Sequence, residues 1–528
     1  MSDGARPIDH RPQTSRPSLR RLACLTVASA ALLWVGAAQA QTPPSPEQRE
    51  SIAQQLEEIR AMREALSRQM NELDTRIGTL ENELQGTSAQ AETSSSIAHA
   101  APAASEEQAA SAPVLLAASA QTGAAQQSQT EDVFYEPIRG IVLASGELGE
   151  IDASLTTYAR YLNQLGLDDQ FTDSFGRTFD IDRRQDIQLN KVNLTFKGWM
   201  FDPRFRYLIF AWTSNANQGL GAQVVLAGWL GYRFNEHLMV AGGIGALPTT
   251  RSTQYTYPHW LRVDNRPMAD EFFRGSYTSG VWAQGEIADG LEYRVMLGNN
   301  LSTLGVDAGQ LDDELNTLSG AFWWMPTTHE FGFVNGFGDF EYHEELATML
   351  GASLTTSRES AESQAGVNDF ENSQIRLSDG TRIFQPDAFA TGGQITSATY
   401  TMASLSGGLK YRGWSLEGEY YFRWVDDFDT VGDIPVDDLY DHGFQLQAST
   451  MAIRDRLQLY ASGSMIFGEF GDPSDIALGL NIFPFRRREL RLNMQALYVN
   501  NSPVGYTSIP YQVGGNGWIF TTDFVLGF

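Results

Sequence analysis

The chain is 528 residues long and carries a formal net charge of −27, with 37 basic residues against 64 acidic ones. That balance argues against a nucleic-acid groove, because phosphate contacts need clustered cations. The single cysteine, Cys24, leaves no disulfide framework to argue from.

The first element is a leader. Arg16, Arg20 and Arg21 precede an apolar run that ends in Ala38-Gln39-Ala40, a charged segment, a hydrophobic segment and a small-x-small cleavage pattern. Residues 1–40 are therefore expected to be an export signal that carries Cys24 away with it; an uncleaved anchor is the alternative. The run is short for a bilayer-spanning helix, which needs ~20 apolar residues. No apolar helix of spanning length follows, so residence in a membrane would require a closed barrel, the other way to satisfy backbone groups in lipid.

Residues 47–85 keep a heptad beat. Leu66, Leu73 and Leu80 fall at d, Met70 and Ile77 at a, Arg76 at g and Glu81 at e. That arrangement predicts an α-helical coiled coil in which Arg76 meets a neighbouring chain's Glu81 while its stem covers the core. The expected state is a trimer, with a dimer or a lone surface helix as the bland alternatives. At 1.5 Å per residue the rod would be roughly 58 Å long. Residues 86–130 are rich in Ala, Ser and Gln and hold no aromatic residue, so they read as a linker that cannot bury a core.

From residue 131 to 528 the pattern becomes short alternating stretches separated by Gly, Asn, Asp and Pro. Val192, Leu194, Phe196 and Met200 oppose Lys191, Asn193, Thr195 and Lys197; Leu416, Tyr420, Phe422 and Trp424 oppose Glu417, Glu419, Tyr421 and Arg423. Period-two alternation in runs near ten residues predicts an all-β transmembrane β-barrel. The final stretch places Trp518, Phe520, Phe524, Leu526 and Phe528 on one face. An exposed terminal aromatic suits recognition by the barrel assembly machinery. Hairpins are expected near 187–213, 223–247, 280–300, 318–343, 400–425, 443–467 and 476–500, with an opening strand near 150–162 pairing with the last. That makes about sixteen antiparallel strands, eighteen being the alternative. Polar insertions near 250–275, 300–316, 351–395 and 426–441 read as long outer loops. An even strand count puts both barrel ends, and the coiled coil, in the periplasm.

Several segments, "RRQDIQLNKVNLTFKGWMFDPRFRYLIF", "YRFNEHLMVAGGIGALPTTRS", "SYTSGVWAQGEIADGLEYRVMLGN" and "LGLNIFPFRRRELRLNMQALYV", resemble the phosphate-selective porin (O and P) family in order and texture. The resemblance implies a sixteen-stranded trimeric channel, often with an N-terminal coiled coil, that takes up anions by passive diffusion. Two departures stand out. Ala246 occupies the place of a lysine two residues before the motif's proline, Pro248, and the chain holds three lysines in all.

In a channel, selectivity resides in lumen-facing residues and in any loop folded inward. Lys191 and Lys197 face inward by alternation, and Arg251, Arg262, Arg266 and Arg274 cluster in the best candidate for a constriction loop. Arginine there would supply a forked, permanently charged contact for phosphate or carboxylate. The bland alternative is that these arginines pair with Asp264, Asp270 and Glu271 or with lipopolysaccharide phosphates. Asp427, Asp429, Gly432 and Asp438 match part of a calcium loop, but Val431 stands where a ligand belongs, so a solvated loop is the better reading. No HExxH or G-x-S-x-G pattern is present, and "EYHEE" around His343 reads as a strand end near the rim. No enzyme activity, cofactor or metal is expected. The expected function is a homotrimeric porin in the outer membrane of a Gram-negative bacterium, in contact with lipid and lipopolysaccharide and passing small solutes and ions. A phosphate or small-carboxylate channel is the alternative, and a structural tether with a poorly conducting barrel is the second.

Overall fold

The computed structural model describes residues 140–527, except 215–222, 255, 305, 307–309, 312–313, 366–374 and 506–508. The leader, the coiled coil with its trimerisation residues, the linker and Phe528 lie outside the described residues.

Strand β1 (Ile141–Gly146) turns back onto β2 (Gly149–Leu167), and a separate small hairpin of β3 (Gln170–Thr172) and β4 (Thr178–Asp180) follows. Next come β5 (Gln185–Met200), β6 (Asp202–Ser214), β7 (Gln223–Asn235), β8 (Leu238–Ala246), β9 (Tyr277–Ala288) and β10 (Leu291–Gly298). The remainder are β11 (Thr317–Trp324), β12 (Ala347–Ser360), β13 (Gln394–Tyr411), β14 (Trp414–Val431) and β15 (Leu439–Ile453). The chain ends with β16 (Leu457–Phe467), β17 (Ser474–Ile482), β18 (Leu490–Asn500) and β19 (Gly517–Gly527). From β2 through β5 to β19, each strand pairs antiparallel with the next. β19 then returns to β2, from Gly517↔Leu167 to Gly527↔Thr156. Sixteen strands close with no free edge between them, and the eighteen-strand alternative falls away.

Alternation fixes the two faces. Leu478 is 58% exposed while its neighbour Ala477 is fully buried, and Phe520, Phe524, Leu405, Leu446 and Leu354 repeat the outward pattern. An apolar belt of this extent is stable against lipid, not water. Arg491, Asn493, Asp523, Glu417 and Arg423 point inward and are buried. Short connections join the strands at the end where β2 begins, except for the segment 325–346 between β11 and β12. The Tyr411↔Trp414 hairpin is one, its two turn residues Arg412 and Gly413 both at positive φ (47° and 84°), the backbone that matches the strand twist. Long loops gather at the opposite end.

Three expected boundaries move. The partner of β11 is β12, not residues 331–343. That stretch is broken by Gly332, Gly336 and Gly338 and by positive φ at Val334, Asn335 and Tyr342, so it cannot extend a ladder. Residues 351–360, expected in a loop, are strand: small and polar Ser353, Thr355 and Ser357 face inward, leaving few large apolar residues to reveal the alternation. Likewise β14 runs on to Val431, so only residues 432–438 remain of the acidic loop.

Candidate functional site

After β8 the chain passes Pro248 and residues 247–276 fold into the barrel. Thr250 and Thr253 cap a single turn at Arg251–Thr253. Pro267, with φ −54°, starts a short helix, Met268–Phe273, whose six residues are all buried. One row of contacts after another ties this loop to the wall. Arg262 reaches Asp475 on β17 (2.6 Å) and Ser462 on β16 (2.7 Å). The backbone N–H groups of Met268 and Ala269 donate to Asp475 (3.2 Å) and Ser464 (2.9 Å). Arg251 donates to Glu417 (3.1 Å) through its guanidinium and to Glu419 (3.0 Å) through its N–H, both on β14. Arg160 on β2, paired with Asp523 on β19 (2.5 Å), donates to the Val263 carbonyl (2.6 Å), and Arg491 on β18 to that of Trp260 (2.6 Å). Arg262 and Asp475 are 1% and 0% exposed. Removing one member of such a pair strands a buried charge, at a cost of ~3–5 kcal/mol.

The six expected cations all lie on the lumen side, five of them at this loop. Lys191 binds Asp264 (2.7 Å), with its ammonium 4.8 Å from the Trp212 ring centroid and 5.2 Å from that of Tyr257. Arg266 bonds Glu271 (3.2 Å) and Ser252 (2.7 Å) and lies 4.2 Å over Trp260; Arg274 pairs with the same Glu271. Lys197 stands apart, buried opposite Asp152 near the short-turn end. Burial pushes the Asp264 carboxyl up, but the Lys191 charge and the hydrogen bonds from Lys191 and Tyr158 hold it below the usual range. Burial drives the His259 imidazole well below its ordinary value, aided by Arg488 and Arg491, so it is neutral.

The wall partners, Glu417, Asp475, Asp523 and Arg160, were legible as polar positions on alternating strands, but which loop residue each meets was not. The segment between β11 and β12 was also unforeseen as a lumen element. Lys410 on β13 donates to the carbonyls of Phe331 (2.7 Å) and Gly336. The Phe337 N–H meets the His259 carbonyl (2.8 Å), so this segment backs the inner loop. "EYHEE" lies here: His343 bonds Asp339 and Glu330, and its pKa rises to about 9. Asp339, Glu341 and His343 are close enough to share a cation, yet Gly413 N–H (2.7 Å) and Arg488 (2.7 Å) already occupy the two carboxylates. Asp427 and Asp429 on β14 grip Arg358 on β12, reaching across β13 (3.1 and 2.6 Å), rather than forming a loop.

The loop does not fill the lumen evenly. Inward side chains of β12 to β19, such as Ser404, Glu419, Gln445, Ser462 and Asn493, are buried. On β5 to β7 the inward side chains Lys191, Asn193, Thr195, Phe210, Trp212 and Trp229 keep accessible surface, while Lys197, Leu208 and Ala227 are buried.

No family model and no curated protein matches the chain. Solved structures similar to it include an outer-membrane expressed OmpT of Vibrio cholerae, at 11% identity and a TM-score of 0.45 over 74% of this chain and 100% of that one. An anion-selective porin from Comamonas acidovorans stands at 10% and 0.45 over 72% and 100%. The outer membrane channel DcaP of Acinetobacter baumannii stands at 9% and 0.43 over 74% and 100%.

Proposed function

We propose that the protein is an outer-membrane diffusion channel for small hydrophilic solutes and ions. The observation that carries this reading is a closed barrel with an apolar exterior and an inward-folded loop that leaves one side of the lumen accessible. In this reading the end with the short turns faces the periplasm and the long loops face outside, the usual arrangement of outer-membrane barrels. A homotrimer clamped by residues 47–85 belongs to the same reading. Anion uptake, including phosphate or small carboxylates, is supported by the resemblance to the phosphate-selective porins and by Lys191 and Arg266 beside the accessible wall. The carboxylate partners of both cations temper it, because a compensated charge exerts a weaker field.

The test is planar-bilayer conductance with reversal potentials in asymmetric salt, repeated with added phosphate. The expected result is a discrete channel; cation selectivity without phosphate block would remove the anion reading. A second reading, a structural tether, is favoured by the burial of the β12 to β19 wall. Failure of the purified barrel to conduct would select it.

A further inference from the structure

Anion transport leaves the rings of the accessible wall without a role. On that wall Trp212 stands directly across the β5–β6 ladder from Asn193, and Phe210 lies two residues along the same strand and face. Rings at that spacing are about 7 Å apart along the strand. Beside Trp212 the Lys191 ammonium is held 2.7 Å from Asp264, so the cation at the head of this stripe is already neutralised. Asn193 Oδ1 is buried with no hydrogen-bond partner among the described residues. Next to Asp264, Asn265 is 3% exposed and neither of its amide atoms has a partner there.

These parts suit one solute chemistry. A sugar ring has an apolar C–H face that lies on an aromatic ring, and a rim of hydroxyls that both donate and accept. The uncommitted Asn193 Oδ1, the Asn265 amide and an ion pair offer both roles to such a rim. Buried amides left unpaired cost free energy that a hydroxylated guest can recover. A small anion gains nothing from the rings and meets a compensated charge. We infer that the passage along β5 and β6 binds neutral oligosaccharides, with Trp212 and Phe210 as the platform and Asn193 and Asn265 as hydroxyl partners. The inference rests on the channel reading above and names its solute class.

The experiment uses the purified full chain in a planar bilayer, with maltotriose or phosphate added to the conducting channel. The expected result is reversible block of the ion current by millimolar maltotriose. Trp212→Ala should raise the half-blocking concentration roughly 3- to 10-fold, the scale of one aromatic contact, while Trp212→Phe keeps most of the block. If Trp212→Ala fails to insert, Phe210→Ala gives the same readout. A conducting channel that maltotriose does not block, or that it blocks equally in the alanine variants, overturns the sugar assignment and leaves the channel standing. A barrel with no current overturns both, and the two failures are thereby distinct.

Discussion

The wall from β12 to β19 and the wall from β5 to β7 are built alike, apolar outside and polar inside, yet the inner loop treats them differently. Against the first it places Arg262 on Asp475 and Arg251 on Glu417, and it takes Arg160 and Arg491 onto its own carbonyls. Against the second, the ion pair is Lys191 with Asp264, beside the rings of Trp212 and Tyr257. The difference teaches that a lumen charge is not by itself a selectivity element. On one wall ion pairs hold the loop, and on the other several inward side chains keep accessible surface. Burial tells the two apart: Arg262 is 1% exposed, Lys191 11% and Arg266 16%.

The largest expected effect comes from abolishing the contrast. Replacing residues 251–273 by a short glycine-serine bridge should free both walls and raise single-channel conductance several-fold, since the loop is then no longer the narrowest element. Unchanged conductance would mean that the passage is limited elsewhere, at the outer loops or the segment between β11 and β12. A smaller step weakens one wall only. Asp475→Ala leaves Arg262 buried without its carboxylate and costs the loop anchor ~3–5 kcal/mol. Trypsin should then cut at Arg262 or Arg274 in the folded barrel, while Asn193→Ala on the other wall, within about 0.5 kcal/mol of the parent, should stay resistant. Equal resistance of the two variants would sink the distinction between the walls.

The alternation made the barrel legible. The strands carrying "KVNLTFKGWMF", "SLEGEYYFRW" and the terminal "WIFTTDFVLG" adopt the faces that period two assigns, because a membrane barrel places its apolar and polar residues under opposite solvents. β12 was missed for the same reason: with Ser353, Thr355 and Ser357 inward it offers little contrast between faces. In the loop, the density of arginines marked residues 251–275 as the segment to watch. Their partners were not readable, since Arg262 and Asp475 are more than two hundred positions apart and meet only through closure of the sheet. The acceptors that Lys410 finds are backbone carbonyls, which carry no sequence signal at all.

The smallest expected effect concerns what stands behind the pinned side. His343, between Asp339 and Glu330, has a folded pKa of about 9 against ~6.5 for a free imidazole. A raised folded pKa means that the charged pair stabilises fully below pH ~6.5 and that its contribution fades as pH climbs through about 9. His343→Gln should therefore lower stability by on the order of 1–2 kcal/mol at pH 6, a figure reduced from the full shift because Glu330 is half exposed to solvent, and by almost nothing above the folded pKa. Thermal unfolding of the two proteins, followed side by side across that range, reads the difference while cancelling every other titration. Because Phe337 from the same segment bonds the His259 carbonyl, the variant should also loosen the loop at pH 6 but not at high pH. A trypsin pattern that changes equally at both pH values would separate this segment from the pinned wall.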